Sequence, residues 1–251
     1  MTTQKKIVLI TGASRGIGAA TALLFARNNY AVCVNYLNNI DAANAVVGKI
    51  KAMGGIAIAV QADVNKEKEV KILFQSISEQ LGNIDVLVNN AGILKPQAKL
   101  VELSEERIRD VLMSNVMSYF LCSKYAVKQM STEFGGIGGS IINVSSAASR
   151  TGSPNEYVDY AASKGAIDTL SIGLAKEVAA NGIRVNCVRP GLIYTDIHAD
   201  GGEPDRVNRL KEKLPMQRGG KPEEVAEAIY WLASTKASFA TGNFLDLSGG
   251  L

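Results

Sequence analysis

Seven short runs of almost entirely apolar residues recur along the chain, and longer segments with helical periodicity separate them. The runs lie at 7–10, 31–34, 56–60, 84–88, 140–144, 183–188 and 244–247. Consecutive apolar residues rich in Val and Ile are typical of strands buried on both faces of a parallel sheet. The intervening segments predict helices at 16–28, 40–53, 66–81, 104–130, 158–180 and 222–234. This alternation predicts an α/β fold with a doubly wound, parallel, seven-stranded sheet and helices on both faces.

One segment near the carboxyl end departs from this alternation. Residues 192–216 carry Gly, Pro and charged side chains and show no strand pattern. Long irregular insertions in compact domains often cover a binding site, so we interpret this segment as a substrate loop or lid, with a plain surface excursion as the alternative. No linker divides the rest of the chain, which predicts a single domain over residues 1–251.

The composition excludes several functional classes. Among the 251 residues, 47% are hydrophobic and the net charge is only +3, which excludes a disordered chain and gives no strong field for nucleic acid or anionic lipid. Because we find neither a long apolar run nor a signal-peptide core, we expect no membrane span and a cytoplasmic protein. The three cysteines are widely spaced and there is one histidine, so we expect reduced interior thiols and no metal site.

The first predicted strand leads directly into a glycine-rich loop at 11–18, which opens the first helix. Its glycines permit a tight turn, close approach of a pyrophosphate, and close packing of the helix on the strand. The helix N-terminus offers free N–H groups and a positive dipole end to phosphate. The loop lacks the Gly-Lys-Ser/Thr ending of a triphosphate-binding P-loop. Together with the alternating pattern, it predicts a Rossmann-type dinucleotide site.

Residues near the end of the second strand bear on which dinucleotide binds. Asn35 and Tyr36 lie there, and no acidic side chain follows until Asp41. A carboxylate at this place suits the ribose hydroxyl of NAD, whereas neutral or basic residues suit the 2′-phosphate of NADP. Arg15, inside the glycine-rich loop, could also reach that phosphate, so we expect NADP(H) to be favoured over NAD(H). Asp63, after the third strand, is expected to meet the adenine, with a helix cap as the alternative.

Further motifs follow this loop in a fixed order. They are Asp63-Val64, Asn89-Asn90-Ala91-Gly92, Asn115, Ser145-Ser146, Tyr160 with Lys164, Pro190-Gly191, and Thr195. In order and spacing, and over essentially the whole chain, these motifs resemble the classical short-chain dehydrogenase/reductase family. The resemblance implies four catalytic residues, Asn115, Ser146, Tyr160 and Lys164. It implies cofactor binding by Gly12, Ser14, Arg15, Gly16, Ile17, Gly18, Asn35, Tyr36, Asp63, Val64, Asn90, Ala91, Gly92, Tyr160, Lys164, Pro190, Gly191, Ile193 and Thr195.

The resemblance makes Tyr160 the general acid/base, and elementary electrostatics supports this role. Lys164 follows four residues later, so the two side chains share a face on a helix. A tyrosine of pKa about 10 must lose roughly 3 units, or roughly 4 kcal/mol, to be half ionised near neutrality. One cation about 4 Å away supplies roughly 4 kcal/mol at an effective dielectric constant of about 20. Lys164, helped by a positively charged nicotinamide ring, is therefore sufficient in magnitude.

The roles of Ser146 and Asn115 depend on alignment with the family pattern. The alignment favours Ser146 over Ser145 as the hydroxyl that binds the substrate oxygen and stabilises developing negative charge. The spacing from Ser146 to Tyr160 is one residue longer than the family pattern, so the loop 147–159 is expected to carry an extra residue. Asn115 is expected to hold the water of a proton relay, with a helix-kink or capping amide as the alternative.

The implied reaction moves a hydride between nicotinamide and a substrate carbon while a proton moves at the substrate oxygen. Two substrate classes stay open, a sugar or polyol and a 3-oxoacyl group on an acyl carrier protein. For the second, Lys124, Lys128 and Lys176 are candidate docking residues. A non-catalytic dinucleotide sensor is a remote alternative, because such a protein would be expected to lack the catalytic side chains. The resemblance also implies a homotetramer.

Four side chains outside these motifs also bear on the site. His198, in the 192–216 segment, is expected to be a surface-loop residue rather than a substrate contact. Tyr157 and Tyr194 either line the pocket or pack beside it. Trp231 is expected in the core or in a subunit interface.

Overall fold

The computed structural model describes residues 5–251. The elements of the first half are β1 (Ile7–Ile10), α1 (Gly16–Arg27), β2 (Ala31–Tyr36), α2 (Ile40–Ala52), β3 (Ile56–Gln61), α3 (Glu67–Gln80) and β4 (Val86–Asn89). Those of the second half are α4 (Glu105–Leu112), α5 (Ser118–Met130), β5 (Gly139–Val144), α6 (Ala148–Thr151), α7 (Val158–Val178), β6 (Ile183–Pro190), α8 (Ile197–Asp200), α9 (Arg206–Leu210), α10 (Pro222–Ala233) and β7 (Phe244–Leu247).

The strands form one parallel sheet in the order β3-β2-β1-β4-β5-β6-β7. This confirms the predicted doubly wound, seven-stranded Rossmann-type sheet. The chain runs outward from β1 to β3 and then crosses to the other side of β1, so the strand order reverses between β1 and β4. The loops after these two strands diverge, and the crevice between them is where open α/β sheets bind ligands.

Buried side chains form two cores, one on each face of the sheet. Neighbouring residues of β1 alternate between the two. Val8 and Ile10 face the core that α1, α2 and α10 cover, whereas Ile7 and Leu9 face the core that α3, α5 and α7 cover. Because both faces are covered, the strands are apolar at consecutive positions, which explains why short apolar runs predicted them.

The three cysteines, Cys33, Cys122 and Cys187, are buried and unpaired, as predicted. Burial raises the pKa of each thiol, which keeps the thiols protonated. Within residues 5–251, no three side chains of His, Cys, Asp or Glu come together as metal ligands would. No helix of that same span is both long enough and apolar enough to cross a membrane.

The predicted helix at 104–130 is helical over Glu105–Met130, but it is not a uniform α-helix. The segment divides into α4 and α5, which are joined by a wider π-helical turn at Met113–Met117. Asn115 lies in this turn, and its amide accepts from the Ile93 N–H (2.7 Å) and donates to the Ile93 carbonyl (3.1 Å). This pairing with the loop after β4 places the amide inward, and the wider turn accommodates it.

The segment 192–216 is more regular than its composition predicted. It contains α8, α9 and a 3-10 turn at Lys211–Lys213 rather than irregular chain throughout. Helices of four and five residues span less than two turns, so no periodic pattern in the sequence could reveal them. Several residues of the segment line a cavity at the carboxyl ends of the strands.

Candidate active site

A cavity of about 820 Å³ opens at the carboxyl ends of the strands, in the crevice between the loops after β1 and β4. All the predicted site residues except Gly18 and Asn115 line it. This lining set is Gly12, Ser14, Arg15, Gly16, Ile17, Asn35, Tyr36, Asp63, Val64, Asn90, Ala91, Gly92, Ser146, Tyr160, Lys164, Pro190, Gly191, Ile193 and Thr195. The sheet topology therefore brings segments from most of the chain to one place.

The glycine-rich loop adopts a backbone conformation that leaves no room for side chains. Gly12 and Gly16 have positive φ values of 61° and 53°. A Cβ at Gly12 would lie 3.0 Å from the Cα of Ala91, on the loop after β4. Gly18 acts differently, because a Cβ there would lie 2.6 Å from the Gly12 carbonyl oxygen. Gly18 therefore allows α1 to pack against the loop and does not itself face the cavity.

Hydrogen bonds hold the loops after β1 and β4 against each other. The hydroxyl of Thr11 accepts from the backbone N–H groups of Asn90 (2.9 Å) and Ala91 (3.0 Å). The side-chain amide of Asn90 donates to the carbonyls of Thr11 (2.9 Å) and Gly12 (3.1 Å). Asn90 therefore maintains the shape of the cavity wall, and its amide hydrogens are already engaged.

The cavity wall beside β2 is uncharged. Asn35 is buried, and its amide accepts from the Gly12 N–H (3.4 Å) and donates to the Ala62 carbonyl (3.2 Å), so it braces the backbone. The lining continues through Tyr36, Leu37, Asn38 and Asn39. Asp41, the first acid after β2, does not line the cavity. The wall is therefore neutral where the sequence predicted that it would be.

Asp63 follows β3 and lines the cavity, but its carboxylate also bonds within the protein. It accepts from the Asn65 N–H (3.0 Å) and lies 3.2 Å from the Lys66 ammonium. These contacts form the turn that leads into α3. Asp63 therefore has a structural role in addition to its place in the cavity wall.

Arg15 forms an ion pair with Asp200 at the end of α8, which the sequence did not predict. The pair joins the glycine-rich loop to the 192–216 segment across 185 positions of the chain. The two side chains are 54% and 44% exposed, so solvent screens their attraction. The positive charge expected to meet a 2′-phosphate is therefore already paired with a carboxylate.

Tyr160 and Lys164 lie one turn apart on α7, and both side chains contribute to the cavity wall. The Lys164 Nζ lies 5.6 Å from the centroid of the Tyr160 ring. This ammonium donates to the Val144 carbonyl (2.8 Å) and to the Tyr119 hydroxyl (3.3 Å). The structure therefore places the two side chains on the shared helical face that their spacing predicted.

Burial dominates the protonation of this pair. It raises the pKa of Tyr160 to about 12, although a hydrogen bond with Ser146 acts in the opposite direction. It lowers the pKa of Lys164 to about 8, with a partial offset from Cys187 and Asp168. The ordinary pKa of about 10 is that of a tyrosine in water, and it does not include the cost of burying a phenolate. At neutral pH Tyr160 is therefore a neutral phenol.

Ser146 offers its hydroxyl to the cavity more readily than Ser145. Ser145 is buried, and its hydroxyl donates to the Lys164 carbonyl (3.1 Å). Ser146 is only half-buried; its hydroxyl accepts from the Ala148 N–H (3.1 Å) and makes a long contact of 3.5 Å with the Pro190 carbonyl. This geometry favours Ser146 as the serine that contacts substrate, as the alignment did.

Asn115 does not reach the cavity. Its amide donates to the Ser163 hydroxyl on α7 (3.1 Å) as well as to Ile93, and the side chain is fully buried. It therefore ties the loop after β4 to α7, which corresponds to the helix-kink alternative. A water-holding role for Asn115 stays a prediction.

A buried arginine attaches the 192–216 segment to the loop before α7. Arg206 on α9 lies between the carboxylates of Glu203 (2.7 Å) and Glu156. Its guanidinium lies 4.9 Å from the centroid of the Tyr157 ring. The sequence did not predict this cluster, because its only signal there is the mixed charge of the segment.

The two tyrosines that the sequence left open have different surroundings. Tyr157 is buried and lines the cavity, and its hydroxyl donates to the Gly201 carbonyl (3.4 Å). Tyr194 is exposed, and its hydroxyl donates to the Asn208 side chain (3.0 Å). Tyr157 therefore both lines the pocket and packs under the segment, whereas Tyr194 does not line the pocket.

The expectation that His198 is a surface residue is wrong. Its side chain is buried, with 9% of the residue exposed, and Nε2 donates to the Ile193 carbonyl (2.9 Å). Its Nδ1 is buried and has no hydrogen-bond partner within residues 5–251. Because burial lowers the pKa of the ring, His198 is neutral near neutral pH. The short helix α8, which the sequence did not reveal, turns the ring inward.

Comparison with known proteins gives consistent matches over nearly the whole chain. A family model described as enoyl-(acyl carrier protein) reductase matches residues 12–251. The uncharacterized oxidoreductase YgfF of Escherichia coli is 59% identical over 97% of this chain and 99% of its own length. The 3-oxoacyl-[acyl-carrier-protein] reductase FabG of Staphylococcus epidermidis is 38% identical over 98% of each chain.

Solved structures agree with these sequence matches. A dehydrogenase/reductase from Sinorhizobium meliloti superimposes with a TM-score of 0.90 and 32% identity, covering 99% of this chain and 95% of that chain. A double mutant of a Serratia marcescens short-chain dehydrogenase/reductase gives a TM-score of 0.89 and 32% identity, covering 98% of each. The similarity therefore extends over the entire sheet and its helices.

Proposed function

The chain belongs to the short-chain dehydrogenase/reductase family, and from that premise we propose that it is an NADP(H)-preferring oxidoreductase of a sugar- or polyol-like carbonyl/alcohol pair. As a member of the family it is an NAD(P)-dependent enzyme. The observation that carries the proposal is that Ser146, Tyr160 and Lys164 meet in one cavity with the glycine-rich loop. A non-catalytic dinucleotide sensor would have no need of these three side chains.

The cavity residues fit a dinucleotide. A Cβ at Gly12 would lie 3.0 Å from the Ala91 Cα, and one at Gly92 would lie 3.1 Å from the Asn115 side-chain oxygen, so glycine at both places leaves bare backbone that a pyrophosphate can approach closely. When bound, the cofactor supplies or accepts the hydride at its nicotinamide ring. The residues expected to hold it are 12–17 for the phosphates, Tyr36, Asp63 and Val64 for the adenosine, and 90–92, Lys164, Pro190, Gly191, Ile193 and Thr195 for the nicotinamide half.

Tyr160 is suited to donate a proton to a carbonyl oxygen while the carbon is reduced. Its raised pKa keeps the phenol protonated at neutral pH, so the acid form is available. Ser146 would hydrogen-bond the same oxygen and stabilise the charge that develops on it. In the oxidation direction the phenol must first lose its proton, and a nearby cation at Lys164 lowers the cost of the phenolate.

The preference for NADP(H) rests on Arg15 and on the uncharged wall beside β2. A 2′-phosphate that reached Arg15 would replace Asp200 as its partner, and arginine binds phosphate through paired N–H groups. We expect kcat/KM to be higher with NADPH than with NADH. A ratio that favoured NADH by about tenfold would overturn this preference.

A small substrate is favoured over an acyl carrier protein. The cavity lining includes the polar side chains of Ser153, Glu156 and Lys213, which could bind hydroxyl groups. Of the lysines considered for carrier docking, Lys124 pairs with Glu67 (2.7 Å). That lysine's charge is therefore already matched within the chain. The 38% identity to the Staphylococcus FabG supports the alternative, 3-oxoacyl-[acyl-carrier-protein] reduction.

Exposed apolar side chains support a homotetramer. They are Leu112, Met113, Met117 and Phe120, between the end of α4 and the first turn of α5, and Ile172 on α7. Trp231 on α10 is 42% exposed, so the core alternative for it is wrong and the interface alternative stays open. Light scattering at assay concentration tests the tetramer, and a monomer would contradict it.

Buried reduced thiols support a cytoplasmic location.

A substrate panel followed by NADPH absorbance tests the proposed function. It includes sugars, polyols, diketones and an acetoacetyl thioester, each assayed with both cofactors and with a Tyr160→Phe control. We expect turnover of a sugar or polyol pair. Turnover of the thioester alone would establish the alternative substrate class, and activity on none of them, with NADPH still bound, would support the sensor.

A further inference from the structure

Tyr119 contacts the buried ammonium of Lys164, yet it belongs to none of the motifs that carry the family resemblance. It lies in the first turn of α5 and is only 1% exposed. Its hydroxyl accepts from the Lys164 Nζ (3.3 Å) and donates to the Val144 carbonyl (2.8 Å). The Nζ lies 5.1 Å from the centroid of the Tyr119 ring.

We propose that Tyr119 is a positioning residue for Lys164, whose hydroxyl fixes the direction of the ammonium toward the nicotinamide half of the cavity. The inference rests on the proposed function, in which Lys164 holds cofactor. An ammonium has three N–H donors, and the Val144 carbonyl and the Tyr119 hydroxyl accept two of them. The third is left for the side that borders Gly92, where a Cβ would lie 3.7 Å from the Nζ.

The long lysine side chain gains from two fixed acceptors. A lysine stem has about four rotatable bonds and much rotamer freedom, so a single acceptor leaves the direction of the ammonium poorly defined. The acceptors come from two elements, β5 for the Val144 carbonyl and α5 for the Tyr119 hydroxyl. The π-helical turn that places Asn115 against Ile93 immediately precedes α5, so the same distortion sets where Tyr119 emerges.

Tyr119 also supports the charge of Lys164. The titratable groups that face the ammonium are Tyr119 from α5, Tyr160 and Asp168 from α7, and Cys187 from β6. The Asp168 carboxylate is bound by Arg189 (3.0 Å), which reduces its effect on the lysine. The direct partners of the ammonium are therefore neutral dipoles, and the hydroxyl of Tyr119 is one of two.

Tyr119 holds the lysine without itself exchanging protons. Burial keeps the pKa of Tyr119 well above that of an ordinary tyrosine, so its hydroxyl stays protonated across the working range. The Val144 carbonyl, which accepts the hydrogen bond of this hydroxyl, is not a base that can take its proton. Removal of this hydroxyl should therefore change the pH at which Lys164 loses its charge. It should not change which residue donates a proton to the substrate.

The pH dependence of NADPH binding tests the inference without a known substrate. The dissociation constant is measured by NADPH fluorescence from about pH 6 to about pH 10, a range that includes the titration of a lysine of lowered pKa in both the wild-type protein and the variant. In the wild-type protein, affinity should decline as Lys164 loses its charge. In Tyr119→Phe, which keeps the ring, the decline should begin about one pH unit lower, because the ammonium has lost an acceptor.

Tyr125→Phe is the matched control. Tyr125 lies on the same helix, and its hydroxyl contacts Glu67 on the surface (3.4 Å), so its removal should leave the binding profile unchanged. An unchanged profile in Tyr119→Phe would overturn the inference while leaving the proposed function intact. A wild-type protein that did not bind NADPH at all would instead contradict the proposed function.

Tyr119→Gln separates positioning from packing. Glutamine keeps an oxygen acceptor but leaves a larger void than phenylalanine does. We expect the profile of this variant to shift less than that of Tyr119→Phe, although its unfolding free energy falls further. A larger shift in Tyr119→Gln than in Tyr119→Phe would mean that the profile follows the lost volume rather than the lost acceptor, and this result would overturn the inference.

Discussion

At the scale of single residues, burial determines the chemistry of the site more than charge does. The sequence predicted that Lys164 would lower the pKa of Tyr160 toward neutrality. In the folded chain, burial instead raises the pKa of Tyr160 and lowers that of Lys164. Because each shift favours the neutral form, the pair favours proton donation to a carbonyl at neutral pH over proton abstraction from an alcohol.

His198 tests how burial of one titratable group changes the pH dependence of stability, since the chain contains no other histidine. Its folded pKa is lower than its unfolded value, so the unfolded state binds more protons between the two values. The contribution of neutral His198 to stability is therefore complete above the unfolded pKa of about 6.5 and declines as pH falls below it. We expect the unfolding free energy to decrease between about pH 7.5 and about pH 5.5.

His198→Gln removes the titration but keeps a donor for the Ile193 carbonyl. Denaturant titrations at the two pH values should show a smaller loss of stability in the variant than in the wild-type protein. An equal loss in both proteins would mean that other groups cause the acid sensitivity.

At the scale of elements, the close contact between the glycine-rich loop and α1 leaves no room for a side chain at Gly18. In Gly18→Ala, the added Cβ would lie 2.6 Å from the Gly12 carbonyl oxygen and 2.9 Å from the Ala13 Cα, and both are backbone atoms. We expect a loss of about 1–3 kcal/mol in unfolding free energy, together with weaker NADPH binding.

Gly48→Ala is the matched comparison, because nothing lies within 4 Å of a Cβ at this position in α2. It should stabilise the protein by up to about 1 kcal/mol through helix propensity alone. If Gly18→Ala were as stable as Gly48→Ala, the close packing of α1 on the loop would be refuted.

The ion pair between Arg15 and Asp200 couples two elements that both contact the expected cofactor site. Asp200→Asn removes the carboxylate that competes with a 2′-phosphate for Arg15. We therefore expect a few-fold tighter binding of NADPH and no change for NADH, an effect kept small by solvent exposure. Asp205→Asn, in the same segment, serves as the control. Equal effects on the two cofactors would show that Arg15 does not meet the phosphate.

The elements that the sequence predicted well are those whose pattern is set within one segment. The five inner strands were visible because burial on both faces requires consecutive apolar residues, and the edge strands β3 and β7 have similar apolar runs although they are only partly buried. The division of 104–130 into α4 and α5 was not visible, because it depends on Asn115 meeting Ile93 from another part of the chain. The short helices α8 and α9 were not visible because they have too few residues to repeat a pattern.

At the scale of the whole molecule, the candidate site also combines local features, which the sequence predicted, with long-range contacts, which it did not. The glycine-rich loop and the spacing of Tyr160 and Lys164 are local features, and the sequence located them. The contacts of Arg15 with Asp200 and of Lys164 with Tyr119 join residues 185 and 45 positions apart. Only the folded sheet brings such residues together, so no local sequence motif predicts these contacts.

The proposed chemistry of the whole molecule depends on Tyr160 as the acid/base in an intact dinucleotide site. Tyr160→Phe removes one hydroxyl from the cavity wall and leaves the glycine-rich loop unchanged. Turnover of the best substrate from the panel and the dissociation constant of NADPH are measured on the same preparation. We expect turnover to be abolished while NADPH still binds with an affinity close to that of the wild-type protein. Near-normal turnover by this variant would contradict the account.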